Sequence, residues 1–184
     1  MSDQNAAPES EVQLAAEEEL TPKSAPVDRE AKGPFDVAEV SGVRPYVDLG
    51  GVKILPRTDL HLRLEVEEQS KRVVAVGLEY HGSTLQVQPF AAPRSSGLWH
   101  EIRGQIMDQL ASQGARAKAV SGPFGPEIFA EIPVTVEDEQ GMRLARFIGV
   151  DGPRWFLRGV IAGKGATDRE AAAEIGRASC RERV

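Results

Sequence analysis

Along residues 60–89 apolar and polar side chains trade places one for one. Leu60, Leu62, Leu64 and Val66 alternate with His61, Arg63 and Glu65. Val74, Val76, Leu78 and Tyr80 resume the rhythm beyond the polar stretch Glu67–Lys71. After His81-Gly82-Ser83, the apolar positions Leu85, Val87 and Pro89 enclose Gln86 and Gln88. A repeat of two marks strands with one dry and one wet face, so this stretch predicts an antiparallel meander. Just upstream, Gly50-Gly51 sits between the short apolar runs of "YVDLGGVKI" and predicts a hairpin.

The rhythm breaks at Pro93–Gly97. Leu98, Trp99, Ile102, Ile106 and Leu110 then fall on one side of a helical wheel, predicting an amphipathic helix over Leu98–Gln113. Ser96 or Gly97 is the expected cap, Glu101 sits in the first turn, and Gly114 is a natural stop. A Gly/Pro-rich loop is expected at Ser121–Pro126. Alternation returns at Ile128, Ala130, Ile132, Val134 and Val136, where Pro133 lacks a donor and predicts an edge or bulged strand.

The last apolar segments, Met142–Val150 and Arg154–Ile161, flank Asp151-Gly152-Pro153 and predict a hairpin. A loop of two or four residues gathers Arg143, Phe147, Arg154, Phe156 and Arg158 on one face, with Phe147 expected opposite Phe156 and Ala145 opposite Arg158. After Gly163-Lys164-Gly165, "ATDREAAAE" reads as a second helix with Thr167 and Glu170 as a capping box. The pattern as a whole predicts an α+β fold: mainly an antiparallel meander sheet with one long amphipathic helix packed on one face.

Charge divides the chain into parts. Within residues 1–40, ten acids stand against Lys23, Arg29 and Lys32, a balance of −7 in a chain whose net charge is −6. Residues 1–33 are rich in Ala, Glu, Pro and Ser and hold no aromatic residue. Such a stretch buries too little apolar area to offset the entropy of ordering it, so a disordered acidic arm is expected over 1–33, with a transient helix possible around Val12–Leu20. One domain is expected over 34–173. Residues 174–184, EIGRASCRERV, abandon the helical pattern and resemble the translated read of a sequencing adapter, so they are expected to be a non-native tail. The lone Cys180 falls in it.

Little chemistry survives inspection. Without Cys180 there is no thiol for catalysis or metal binding, and His61, His81 and His100 have neither HxH nor HExxH spacing. Gly163-Lys164-Gly165 lacks the first glycine and the Ser/Thr of a phosphate loop, and Ser121-Gly122 lacks the flanking glycine of a hydrolase elbow. Asp48, Asp59 and Glu65 pair at no known spacing and read as solvated. Neither a metal nor a cofactor is expected. With the arm and tail set aside the body is near neutral, which gives no support for a nucleic-acid binder.

Two clusters remain. Arg143, Arg154 and Arg158 interleaved with Phe147 and Phe156 could grip an anion or stacked bases, though arginine stems also cover apolar faces as ordinary structure. Phe124, between Gly122-Pro123 and Gly125-Pro126, could be presented on a stiff loop as an anchor, or could plug the core.

The stretches "GPFDVAEV", "YVDLGGVKI", "LRLEVEE", "LQVQPFAAPRSSGLWHEIR", "GPFGPE" and above all "RFIGVDGPRWFLRGVIAG" resemble an uncharacterised domain-of-unknown-function family of high-GC actinobacteria. The resemblance spans about residues 33–173. It implies a variable acidic arm and a compact domain, and supplies no activity, cofactor or catalytic residue.

The sequence therefore predicts a cytoplasmic, non-enzymatic module that binds an unknown protein or other macromolecule, with no membrane association. The alternative is an enzyme or small-ligand binder with a cleft between helix and sheet where His100, Glu101, Arg103 and Arg158 converge. A weaker alternative is nucleic-acid binding through the Arg/Phe face.

Overall fold

A computed structural model describes residues 20–179. After a short helix α1 (Arg29–Lys32) come the hairpin strands β1 (Val47–Asp48) and β2 (Lys53–Ile54), then β3 (His61–Val66), β4 (Val73–Tyr80) and β5 (Ser83–Ala91). Helix α2 (Trp99–Ser112) leads to β6 (Arg116–Gly122), β7 (Gly125–Val136), β8 (Glu139–Asp151) and β9 (Trp155–Gly163). Helices α3 (Lys164–Thr167) and α4 (Arg169–Ser179) close the described chain.

Strands β3 to β9 form one seven-stranded sheet in the order β3-β4-β5-β9-β8-β7-β6, antiparallel at every pairing. It is two meanders rather than one. The first, β3-β4-β5, ends at mid-sheet. The chain then crosses through α2 to the far edge and returns strand by strand, until β9 settles against β5.

Both sides of the central strands are covered, which corrects the expectation of one wet face throughout. On one face, Val76, Leu78, Leu85, Val87, Ile148, Val150, Leu157 and Ile161 pack against Ala172 and Ile175 of α4 and against Leu49, Val52 and Ile54 of the small hairpin. On the other, Ile128, Ala130 and Phe156 meet Trp99, Ile106 and Leu110 of α2. The apolar stripe of α2 thus lies on the sheet as its spacing requires. The helix approaches so closely at Gly149 that an added Cβ would stand 2.3 Å from the indole of Trp99.

The single long helix does not appear. α2 has 14 residues, about four turns, and α4 covers the opposite face with 11. Neither expected cap holds. No side chain of its own segment caps α2; the carboxylate of Asp151, from the end of β8, accepts from Leu98 N at 2.8 Å and Trp99 N at 3.4 Å. At α4 the cap is Asp168 rather than Thr167, with its Oδ1 accepting from Glu170 N and Ala171 N.

The domain extends beyond both expected limits. Thr21 and Ser24 hydrogen-bond to Gly97 and Asp151, and the Lys23 ammonium donates to the carbonyls of Pro93, Gly152 and Pro153. Residues 20–33 therefore pack on the domain, because Asp151 offers partners the sequence of the arm alone does not reveal. At the other end α4 runs past residue 173, and Ile175 is fully buried. Residues 1–19, with the helix expected near Val12, and Cys180 lie outside the described residues.

Pro133 is tolerated for a local reason. β7 is an interior strand, but β6 pairs with it only as far as Glu131, so at Pro133 the strand has β8 alone as a neighbour.

Candidate functional site

The final hairpin keeps its faces but changes its register. Phe147 pairs with Val160 and Gly149 with Arg158, rather than Phe147 with Phe156 and Ala145 with Arg158. Strand β8 continues through Asp151, so the turn tightens and the register slips by an even number. Side chains two apart point the same way, and an even slip leaves each on its face.

The residues expected to form the site have separate fates. Phe156 is fully buried, stacked between Trp99 and Phe90 with ring centroids 6.1 Å apart on either side. Phe124 lies in the core, where Gly176 leaves room for its ring. It is a plug rather than a displayed anchor. Phe147 is half-buried against α2, and Arg154 is exposed at the turn. Arg158 donates to Gln88 Oε1 at 2.7 Å. Arg143 is exposed and lines a groove.

That groove occupies the part of the α2-bearing face that the helix leaves open, and it encloses about 270 Å³. Pairing across the strands builds it. Arg63 of β3, Gly77 of β4, Gln86 of β5 and Val160 of β9 stand in one row; His61, Glu79, Thr84 and Ala162 stand in the next. Small residues, Gly77, Val160 and Ala162, make the floor. His61, Arg63 and Glu65 make one wall, and Arg143 stands at the other side. Gln86 Nε2 donates to Glu65 Oε1 at 2.7 Å, which ties the floor to that wall. Neither Arg143 nor Arg63 has an ion-pair partner among the described residues.

The period-two pattern had already placed His61, Arg63 and Glu65 on one face and Gln86 with Gln88 on another. The sequence does not say that these faces are the same, because the order of strands decides it.

The helix–sheet cleft is not assembled. His100 is exposed, Glu101 accepts from Gln105 within its own helix, and Arg158 is engaged by Gln88. His100 and Arg103 instead border a shallow space of about 650 Å³ against residues 20–25. Among the described residues no group of three His, Cys, Asp or Glu side chains could hold a metal ion. No described helix is long and apolar enough to cross a membrane.

Beneath the opposite face lies a buried ion pair. Arg146 Nη1 donates to Glu127 Oε2 at 2.8 Å, and Phe124 N donates to Glu127 Oε1 at 3.2 Å. Burial, the largest influence, lifts the Glu127 carboxyl above the ordinary glutamate range against the opposing pull of Arg146 and the Phe124 N–H. Gly122 makes the site possible, since a Cβ there would fall within 2.0 Å of the carboxylate. The pair faces the core, away from the groove, and serves the fold.

No curated protein matches this chain. Among solved structures, that of cyanobacterial PsbP (CyanoP) from Synechocystis sp. PCC 6803 is similar over 69% of this chain and 81% of that one, at 17% identity. The TM-score is 0.33. The family described as "Protein of unknown function (DUF3710)" matches residues 33–184, and the chain belongs to that family.

Proposed function

We propose that the chain is a non-enzymatic, cytoplasmic binding module that receives a carboxylate-bearing segment of a protein partner in the groove between β3 and β8. The observation that carries this reading is Arg143, a guanidinium beside the groove with no ion partner among the described residues. Guanidinium groups bind carboxylates through two parallel hydrogen bonds, and such pairs supply both strength and orientation. The floor of Gly77, Val160 and Ala162 lets a main chain come close, while the Gln86 amide and Thr84 hydroxyl can pair with its peptide groups. Glu65 and Glu79 on the opposite side balance the arginines, an arrangement that suits a peptide of mixed charge and repels a polyanion.

The test is a titration of the isotope-labelled chain with a hexapeptide of alternating glutamate and lysine, followed by amide shifts. Shift changes at Gly77, Gln86 and Val160 that weaken with salt and vanish in R143A support the reading. Identical changes in R143A, or changes confined to other surfaces, overturn it. A parallel titration with single-stranded DNA that moved the same amides more strongly would favour the nucleic-acid reading instead.

A further inference from the structure

We infer that β3 is a self-complementary edge through which two copies of this chain pair, joining their sheets across a two-fold axis. The inference does not rest on the groove reading. β3 is the outermost strand of the sheet, and every residue in it except Leu62 is exposed. Its outward N–H and C=O groups form an open template for another strand. Leu64 and Val66 are exposed by 48% and 47% on the apolar side of this strand, a cost to solvation that pairing would remove.

The sequence of β3 selects the partner and the register. A two-fold axis perpendicular to the sheet keeps each side chain on its own face, so only residues an even number apart can stand opposite each other. Three central registers are then possible. One sets Arg63 against Arg63 of the second copy, and another sets Glu65 against Glu65. Like charges directly opposite are destabilising, so both are disfavoured. The third centres on Leu64. It sets Arg63 against Glu65 of the second copy, and Glu65 against Arg63, on the polar face. On the apolar face it sets Leu64 against Leu64, flanked by Leu62 against Val66. At its ends His61 meets Glu67. Among the described residues Arg63 has no ion partner, and Glu65 gives only Oε1 to Gln86, leaving Oε2 for the second copy. From Leu62 to Val66 every position of the strand is matched in this register and in no other, and the bulge opposite Val66 lies in β4, on the side away from the second copy.

The opposite edge of the sheet lacks this property. β6 carries Arg116 and Lys118 and no acid, with Arg116 already paired to Glu131 and Lys118 lying over the ring of Phe129. Association through β3 therefore closes at two copies and leaves no complementary edge for growth.

The test is a charge-swap series on the full chain, read by sedimentation velocity over a micromolar concentration range. The wild type is expected as a monomer–dimer equilibrium that weakens between about 50 mM and about 300 mM salt, because the pairs are exposed. R63E and E65R each place like charges opposite at two symmetric positions and should raise the dimer dissociation constant by about tenfold or more. The double variant R63E/E65R restores opposite charges in the same register and should return it to near the wild-type value. All four proteins should give the same far-UV circular dichroism, since both side chains are exposed. A wild type that stays monomeric throughout, single swaps that leave the dimer unchanged, a double variant no better than the singles, or species larger than a dimer would each overturn the inference.

Discussion

Arg146→Met tests whether the Glu127–Arg146 pair is held by mutual need. Glu127 is completely buried and Arg146 is 8% exposed, so neither can turn to water when its partner is lost. Taking away the cation leaves a buried carboxylate with the Phe124 N–H and the more distant charge of Arg169 to stabilise it. Breaking a buried pair from one side costs about 3–5 kcal/mol. With a urea dependence of about 2 kcal/mol per molar, the midpoint of unfolding should fall by about 1.5–2.5 M at neutral pH.

Acidity then distinguishes this cause from simple loss of packing. The Glu127 carboxyl is already raised by burial, and losing Arg146 removes the chief opposing influence, so its folded pKa climbs further. A group raised in the folded chain contributes stability that is complete below its unfolded pKa and is lost as pH rises through the folded one. The deficit of R146M should accordingly be greatest near neutrality and shrink as acid neutralises the carboxyl. Adding E127Q to R146M removes the stranded charge and should recover most of the loss at neutral pH. Urea melts of wild type, R146M and E127Q/R146M at several pH values decide the matter. A deficit independent of pH, or a double variant as weak as R146M, refutes the reasoning.

Asp151→Ala should free two segments at once, because this carboxylate holds both Ser24 N and the first turn of α2. A loss of about 2 kcal/mol is expected, with hydrogen exchange accelerating at Ser24, Leu98 and Trp99 ahead of the sheet. Gly149→Ala forces the indole of Trp99 aside and should cost about 1–3 kcal/mol, seen as a lower melting temperature and altered tryptophan fluorescence. Asp138→Gly relieves a turn in which Glu137 and Asp138 hold φ of 49° and 66°, and should raise stability by about 0.5 kcal/mol in thermal melts. Arg29, through its hydrogen bonds and charge, depresses the pKa of the exposed Glu39, so this pair helps above the unfolded pKa and is lost as pH falls through the folded one. Solvent limits its worth to less than about 1 kcal/mol, and R29A should flatten the acid limb of the stability curve only slightly.

Alternation places most of the large apolar residues correctly, and it fails at Val74, which is exposed while Val73 packs on the core where β4 bulges against Val66. Leu62 and Leu64, Leu85 and Val87, and Phe147 and Phe156 all occupy the faces their spacing implies. It is silent over Arg116–Gly122, where alanines, charges and glycine give no contrast, and so it predicts no strand at β6. There Gly122 and Gly125 pair across Pro123-Phe124, turning the expected loop into a tight hairpin whose phenylalanine points inward. The groove was hidden for a different reason. Local spacing fixes which side chains share a strand face, but β9 slots beside β5 through pairings that run from Ser83 with Gly163 to Ala91 with Trp155, far apart in the chain. Arg143 and Arg63 reach the same groove only because of that insertion. The capping of α2 by Asp151 has the same origin, a contact between segments more than 50 residues distant.

The place of β9 has a consequence for how the molecule is made. During synthesis the first meander leaves the ribosome with the inner edge of β5 bare, and the strands that follow are added inward from the far rim. The seam that unites the halves is filled by β9, which emerges after all the other strands of the sheet. Until then each half presents an open flank to the cell, so the vulnerable interval of this chain's life falls between the emergence of β8 and that of β9.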